Sequence, residues 1–235
     1  MGVPAATTAK SKAFFFTAQV LAAAAAVMVL VWCIHLRGGL AFHSAGDKSL
    51  IFNVHPVLML IGFIIMGSEA TMCFRALPWS KQVNKCIHLI LHGLALVLGA
   101  VGISAAFKFH NELGISNLYS LHSWLGLGTI SLYGIQWILG FVTFLFPGAS
   151  GSLKATFLPW HAVFGVFVYL LGIVSAELGF LEKLTFLETF GTVNRFSGEA
   201  LLVNCTALAV LLLGVSVVLS LIASHLESTK VYSAD

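Results

Sequence analysis

The sequence predicts an all-α integral membrane protein of six transmembrane helices, and three observations carry that prediction. The chain has 235 residues, of which 59% are apolar and only 9% are Asp, Glu, Lys or Arg, against about 25% in soluble domains. The charges bracket six uncharged runs, at 13–36, 49–68, 86–107, 113–153, 155–176 and 200–226, each long enough for the roughly 20 residues a helix needs to cross a bilayer. The runs are mixtures of Val, Leu, Ile, Phe and Ala without period-two alternation, which excludes a β-barrel. A formal charge of +3 gives no footprint for nucleic acid. Cys33, Cys73, Cys86 and Cys205 have neither metal-ligand spacing nor a disulfide framework.

Taken in order, the spans fall at about 13–36, 51–74, 86–107, 118–146, 157–176 and 200–224, forming one domain over 1–235. The first follows Lys10 and Lys12, as a signal peptide would, but its uncharged run is too long for a cleaved h-region, and it is expected to be retained. The fourth run exceeds one span, and its helix is bounded by polar sequence before Leu118 and by Pro147-Gly148 after Phe146. The 177–199 segment holds four Glu, with Phe180, Leu184 and Leu187 at helical spacing. It is expected to be an amphipathic turn on the outer surface or a solvated loop. No internal repeat marks inverted transporter halves. Six spans put both termini on one side. Lys10, Lys12, Arg75, Lys81, Lys85, Lys154 and Lys230 then share that side, against Arg37, Lys48, Lys108, Lys183 and Arg195, so the termini are predicted to be cytoplasmic.

Four of the nine histidines stand near the starts of four consecutive helices: His55, His88, His122 and His161. Because alternate helices run in opposite directions, His55 and His122 share the outer depth and His88 and His161 the inner one. Ionisable residues within spans default to a functional reading. A neutral imidazole binds iron, copper or zinc, but zinc takes three or four protein ligands. Two histidines from facing helices suit the two axial positions of a haem. Helices 2–5 are therefore predicted to form a central four-helix bundle holding two haems. Gly126 and Gly165 each follow a histidine by four residues and leave room on the ligand face for a flat macrocycle. His92, one turn from His88, competes with it, and periodicity does not choose between them. His35 and His110 stand at outer helix ends, where contact with solvent or substrate is expected. His43 and His225 read as surface residues.

Two haems with both axial sites filled leave electron transfer as their chemistry, and the helix rise puts the irons about 20 Å apart along the membrane normal. At the inner end, Arg75, Lys81, Lys85 and Lys154 form a cationic mouth for an anionic donor. At the outer end, Lys108, His110, Asn117 and Tyr119 are the candidate acceptor site, and Arg37 is expected to meet a haem propionate.

These residues also carry a resemblance. His35-Leu36-Arg37-Gly38-Gly39-Leu40, Phe52-Asn53-Val54-His55-Pro56, Lys108-Phe109-His110, Tyr119 through Gly126, Phe146-Pro147-Gly148 and Pro159-Trp160-His161 read like motifs of the cytochrome b561 family. Between about Trp32 and Asn204 the chain resembles those ascorbate-dependent transmembrane di-haem reductases. The resemblance implies two haem b groups, on His55 with His122 and on His88 with His161 rather than His92, with Asn53 and Trp124 as further cofactor contacts. It implies cytosolic ascorbate as donor, monodehydroascorbate or ferric chelates as acceptor, a homodimer, and an endomembrane such as the vacuolar membrane or a secretory vesicle. Two departures stand out. Glu69 to Leu77 holds only Arg75 where some members are more basic, and Lys154 stands where the family often has Arg. The rival readings are a quinol-linked or partner-linked di-haem subunit and a haem-free proton-coupled carrier. The chain has no glycine-rich phosphate loop for NADPH.

Overall fold

A computed structural model describes the backbone of residues 9–232 and the side chains of 11–223, so the side chains of Lys10, His225 and Lys230 lie outside the described residues. Six helices follow one another. Helix α1 runs Ala9–Leu30 and widens into a π-helical turn at Val31–Leu36. It is followed by α2 (Ser49–Ala76), α3 (Lys81–Leu113), α4 (Leu121–Phe144), α5 (Gly151–Thr189) and α6 (Gly198–Tyr232). All six are long and apolar enough to cross a membrane, with mean hydropathy from 1.5 in α4 to 2.6 in α6. Among the described residues there is no strand.

The helix starts are written into the chain by serine. Ser80, Ser120 and Ser150 lie just outside α3, α4 and α5, and each hydroxyl accepts from the backbone N–H three residues on, at Val83, Ser123 and Leu153. Each cap satisfies a donor that the first helical turn leaves unpaired. At the other end of α3, Gly114 takes a left-handed conformation (φ 69°) and returns its N–H to the His110 carbonyl, a stop that favours glycine. Within α2, Pro56 has no N–H to offer, and the ladder reopens as a π-helical stretch at Leu58–Ile65, one residue beyond the turn that holds His55.

Two layers result. Helices α1 and α6 pack along a seam of small and branched residues. Ala18, Ala22, Ala25 and Val29 face Val203, Thr206, Val210, Leu213 and Val217, all nearly solvent-free. The alternating three- and four-residue steps in α6 suit a shallow left-handed crossing. Near the chain ends the Ser11 hydroxyl donates to the Ser220 carbonyl. Helices α2–α5 form the central bundle. There α2 and α3 approach so closely at Gly62 that a Cβ would stand 2.7 Å from Leu98 Cβ, and the Ser68 and Tyr169 hydroxyls join α2 to α5 at 2.8 Å. The face where α1 begins and α6 ends is called the terminal face below, and the opposite one the far face.

One expectation is overturned. Residues 177–189 are neither a surface turn nor a loop; α5 continues through them to Thr189. Phe180, Leu184 and Leu187 are 8–9% exposed, with Phe180 against Trp32 of α1 at 6.2 Å between rings. The stripe is amphipathic, as its spacing implies, but its apolar face is covered by protein.

Candidate functional site

The four histidines form two pairs, one near each face. The His55 and His122 ring centroids are 6.0 Å apart with planes at 86°; those of His88 and His161 are 6.2 Å apart at 64°. The pairs are supported crosswise. His55 Nδ1 lies 3.0 Å from the Gly102 carbonyl on α3, and His88 Nδ1, itself on α3, lies 2.9 Å from the Ala70 carbonyl back on α2. His122 Nδ1 lies 2.8 Å from the Ser175 carbonyl on α5, and His161 Nδ1, on α5, lies 3.0 Å from the Gln136 side chain back on α4. Each of the four helices thus carries a paired histidine at one end and its neighbour's support 14 or 15 residues away, which at 1.5 Å per residue separates the two levels by about 21 Å.

This arrangement matches what a haem requires. A metal–imidazole nitrogen bond is about 2 Å, so two rings bound on opposite sides of one iron have centroids about 6 Å apart. Where Nδ1 donates to a carbonyl, Nε2 keeps its lone pair for a metal and the ring is held in orientation. Among the described residues no three His, Cys, Asp or Glu side chains converge as a metal site. Glycines give the rings their places: a Cβ on Gly179 would stand 2.7 Å from His122 Cε1, and one on Gly140 3.0 Å from His161 Cε1.

The far pair opens into an apolar cavity lined by Phe52, Phe63, Phe109, Gly126, Phe180 and Lys183, with His110, Tyr119 and Glu182 at its polar part. Of the candidate acceptor residues, His110 and Tyr119 line it, their rings 6.4 Å apart. Burial, then the nearby Glu182, holds the Tyr119 phenol above its ordinary pKa, so its O–H stays available as a donor. Lys108 turns instead to the Phe42 carbonyl, His43 and Glu112. Asn117 donates to Asn111. Arg37 is held by Glu199, which also accepts from the Trp32 indole at 2.8 Å.

Two expected cofactor contacts face elsewhere. Asn53 is buried and staples the end of α1, donating to the Arg37 and Gly39 carbonyls at 3.0 and 2.9 Å. Trp124 is 62% exposed and does not line the cavity. Each stands two residues from its histidine, about 200° around the helix, so nearness in sequence puts it on the other side.

At the terminal pair, His92 bonds through Nδ1 to the Tyr133 hydroxyl, its ring 4.4 Å from His88. Arg75, Lys85 and Lys154 are half-buried around this end and Lys81 is exposed. Lys85 reaches the Phe144 carbonyl at 3.5 Å.

Sequence reasoning missed four contributors. Lys183 was counted only as a loop charge. Its ammonium sits 3.9 Å over the Phe52 ring inside the cavity, and among the described residues no carboxylate lies within ion-pair distance of it. Its spacing from Phe180 and Leu187, on one buried stripe, was the available signal. Gly140, Gly179 and Gln136 gave none, because they touch histidines on another helix.

Comparison with known proteins gives consistent relatives. A family model described as eukaryotic cytochrome b561 matches residues 54–187. The chain is 64% identical over 221 residues, 93% of each chain, to the ascorbate-specific transmembrane electron transporter 2 of Zea mays. It is 64% identical over 211 residues, 89% of each, to the probable ascorbate-specific transmembrane electron transporter 1 of Oryza sativa subsp. japonica. It is 59% identical over 205 residues to the transmembrane ascorbate ferrireductase 1 of Arabidopsis thaliana, covering 87% of this chain and 85% of that one.

Proposed function

Since the chain belongs to the eukaryotic cytochrome b561 family, we propose that it passes single electrons across a membrane from ascorbate at the terminal face to monodehydroascorbate or a ferric chelate at the far face, through two b-type haems. The activity is that of an ascorbate-dependent transmembrane oxidoreductase, the class its relatives' names state. The terminal face is then cytosolic, and an endomembrane such as that of the vacuole, with the protein as a homodimer, completes the reading.

The observation that carries it is the pair of facing imidazoles at each of two depths. His55 with His122 would hold one haem, and His88 with His161 the other. Bound there, haem supplies a one-electron couple with no open position for oxygen. The remaining work belongs to the chain. The crosswise bonds keep each ring turned toward its partner. The apolar cavity walls exclude water from the far pair. Lys183, the cation facing that cavity, would hold a haem carboxylate, alongside Arg37, whose Nε is paired with Glu199 while its other N–H groups stay available. His110 and Tyr119 would bind the acceptor by donating hydrogen bonds. Arg75, Lys81, Lys85 and Lys154 would gather the ascorbate anion at the terminal mouth.

The test is a sealed proteoliposome loaded with a ferric chelate and given ascorbate outside. Reduction of the enclosed chelate, without detergent, is expected, together with low-spin haem bands in the purified protein at two haems per chain. Reduction only after detergent would leave a one-sided reductase, and a protein without haem bands would end the reading.

A further inference from the structure

Three of the four paired histidines lean on backbone carbonyls, and the fourth leans on a side chain. The Gln136 amide nitrogen lies 3.0 Å from His161 Nδ1 and 2.7 Å from the His161 carbonyl. An amide nitrogen facing Nδ1 donates to it, which leaves the ring hydrogen on Nε2. A metal-binding Nε2 needs that hydrogen on Nδ1 instead. The two states therefore call for opposite faces of the same amide. With Nε2 free, Gln136 donates to Nδ1. With Nε2 on a metal, Gln136 must turn its carbonyl oxygen toward the Nδ1–H or leave that hydrogen unpaired.

The turn gives up the 2.7 Å bond from the amide nitrogen to the His161 carbonyl, and the surroundings leave room for it. Gly165 lies beside the amide, where a Cβ would stand 3.6 Å from Gln136 Nε2, so its missing side chain leaves space next to the group that must rotate. A side-chain amide is also a tunable partner in a way that a helix carbonyl is not. The acceptor on Nδ1–H sets how strongly the imidazole donates to its metal, and hydrogen bonding around the axial ligands is one of the levers on haem potential.

We propose that Gln136 is a positioning residue for the terminal haem: its amide turns on haem binding and, through His161, sets the reduction potential of that haem alone. The proposal rests on the di-haem reading above. A stronger acceptor on Nδ1–H makes His161 a stronger donor, favours the oxidised iron and lowers the potential. Removing the acceptor does the opposite.

The experiment is a spectroelectrochemical titration of purified wild type, Gln136→Glu and Gln136→Met, resolving the two haems. Gln136→Glu is expected to lower the terminal-haem potential and Gln136→Met to raise it, with the far-haem potential unchanged in both. Shifts of the same sign in the two variants, or none while the terminal haem stays at full occupancy, overturn the proposal. So does an equal shift of both haems. Should Gln136→Met hold too little haem to titrate, Gln136→Glu decides alone, and the absence of a downward shift sinks the idea. Wild-type protein with no haem at the terminal site would instead fail the underlying reading, an outcome visible before any variant is made.

Discussion

The far and terminal histidine pairs are alike in spacing but differ in where their charges come from. Around the terminal pair the cations stand at helix ends, with Arg75 in the last turn of α2, Lys81 and Lys85 opening α3 and Lys154 in the first turn of α5. Around the far pair, the cation that enters the cavity comes from the last turns of an over-long helix, Lys183 of α5, laid over the Phe52 ring. The terminal cations run from half-buried to exposed and suit a mobile donor that binds and leaves. The far cation is enclosed by aromatic rings and suits a resident anion.

Ligand removal tests the comparison most severely. His122→Ala is expected to abolish the far haem while leaving the terminal one near full occupancy, and His161→Ala the reverse, as read from haem content and the split α-band. Loss of both haems from either change would mean that the sites are not separable. The glycines come next. Gly179→Ala puts a Cβ 2.7 Å from His122 Cε1 and Gly140→Ala one 3.0 Å from His161 Cε1, overpacking that costs about 1–3 kcal/mol. Far-haem occupancy should fall in the first variant and terminal-haem occupancy, less steeply, in the second. Equal effects would show that the two rings adjust alike.

Lys183→Met should lower the far-haem potential by tens of millivolts, about 1 kcal/mol, because a nearby cation favours the reduced iron. The terminal potential should hold in the same titration. If the far potential stays while the apparent affinity for a ferric chelate drops, the lysine serves the acceptor and not the haem. The smallest effect is expected from Lys85→Ala: a several-fold loss in apparent ascorbate affinity by stopped-flow, since an ionic contact that solvent still screens contributes about 1 kcal/mol or less. Added salt should narrow the gap between wild type and variant. Identical concentration and salt dependence in the two would remove Lys85 from the donor site.

These differences also explain what could be read from the sequence. The six spans and the two depths were legible because uncharged runs and intramembrane histidines are rare, strong signals. The supports were not. Gly102, Ala70 and Ser175 act through backbone carbonyls, which leave no trace in residue identity, and Gln136 acts across a helix pair. Asn53 and Trp124 do not line the cavity, because a motif reports order along the chain, whereas helix geometry decides which side a residue faces. The overrun of α5 escaped for the opposite reason. The Glu residues of the 177–199 segment suggested solvent, and the burial of Phe180, Leu184 and Leu187 shows that one face of the overrun is core.

The crosswise support has a consequence for assembly. A slide of α2 along α3 by a single residue, about 1.5 Å, would pull His55 off the Gly102 carbonyl and His88 off the Ala70 carbonyl together. Neither site can be built correctly on a misregistered helix pair while the other is wrong. On the di-haem reading the two centres would check each other's register, so haem loading should select the correctly threaded chain, and half-loaded protein should be scarce unless a ligand, or a residue packed directly against one, has been changed.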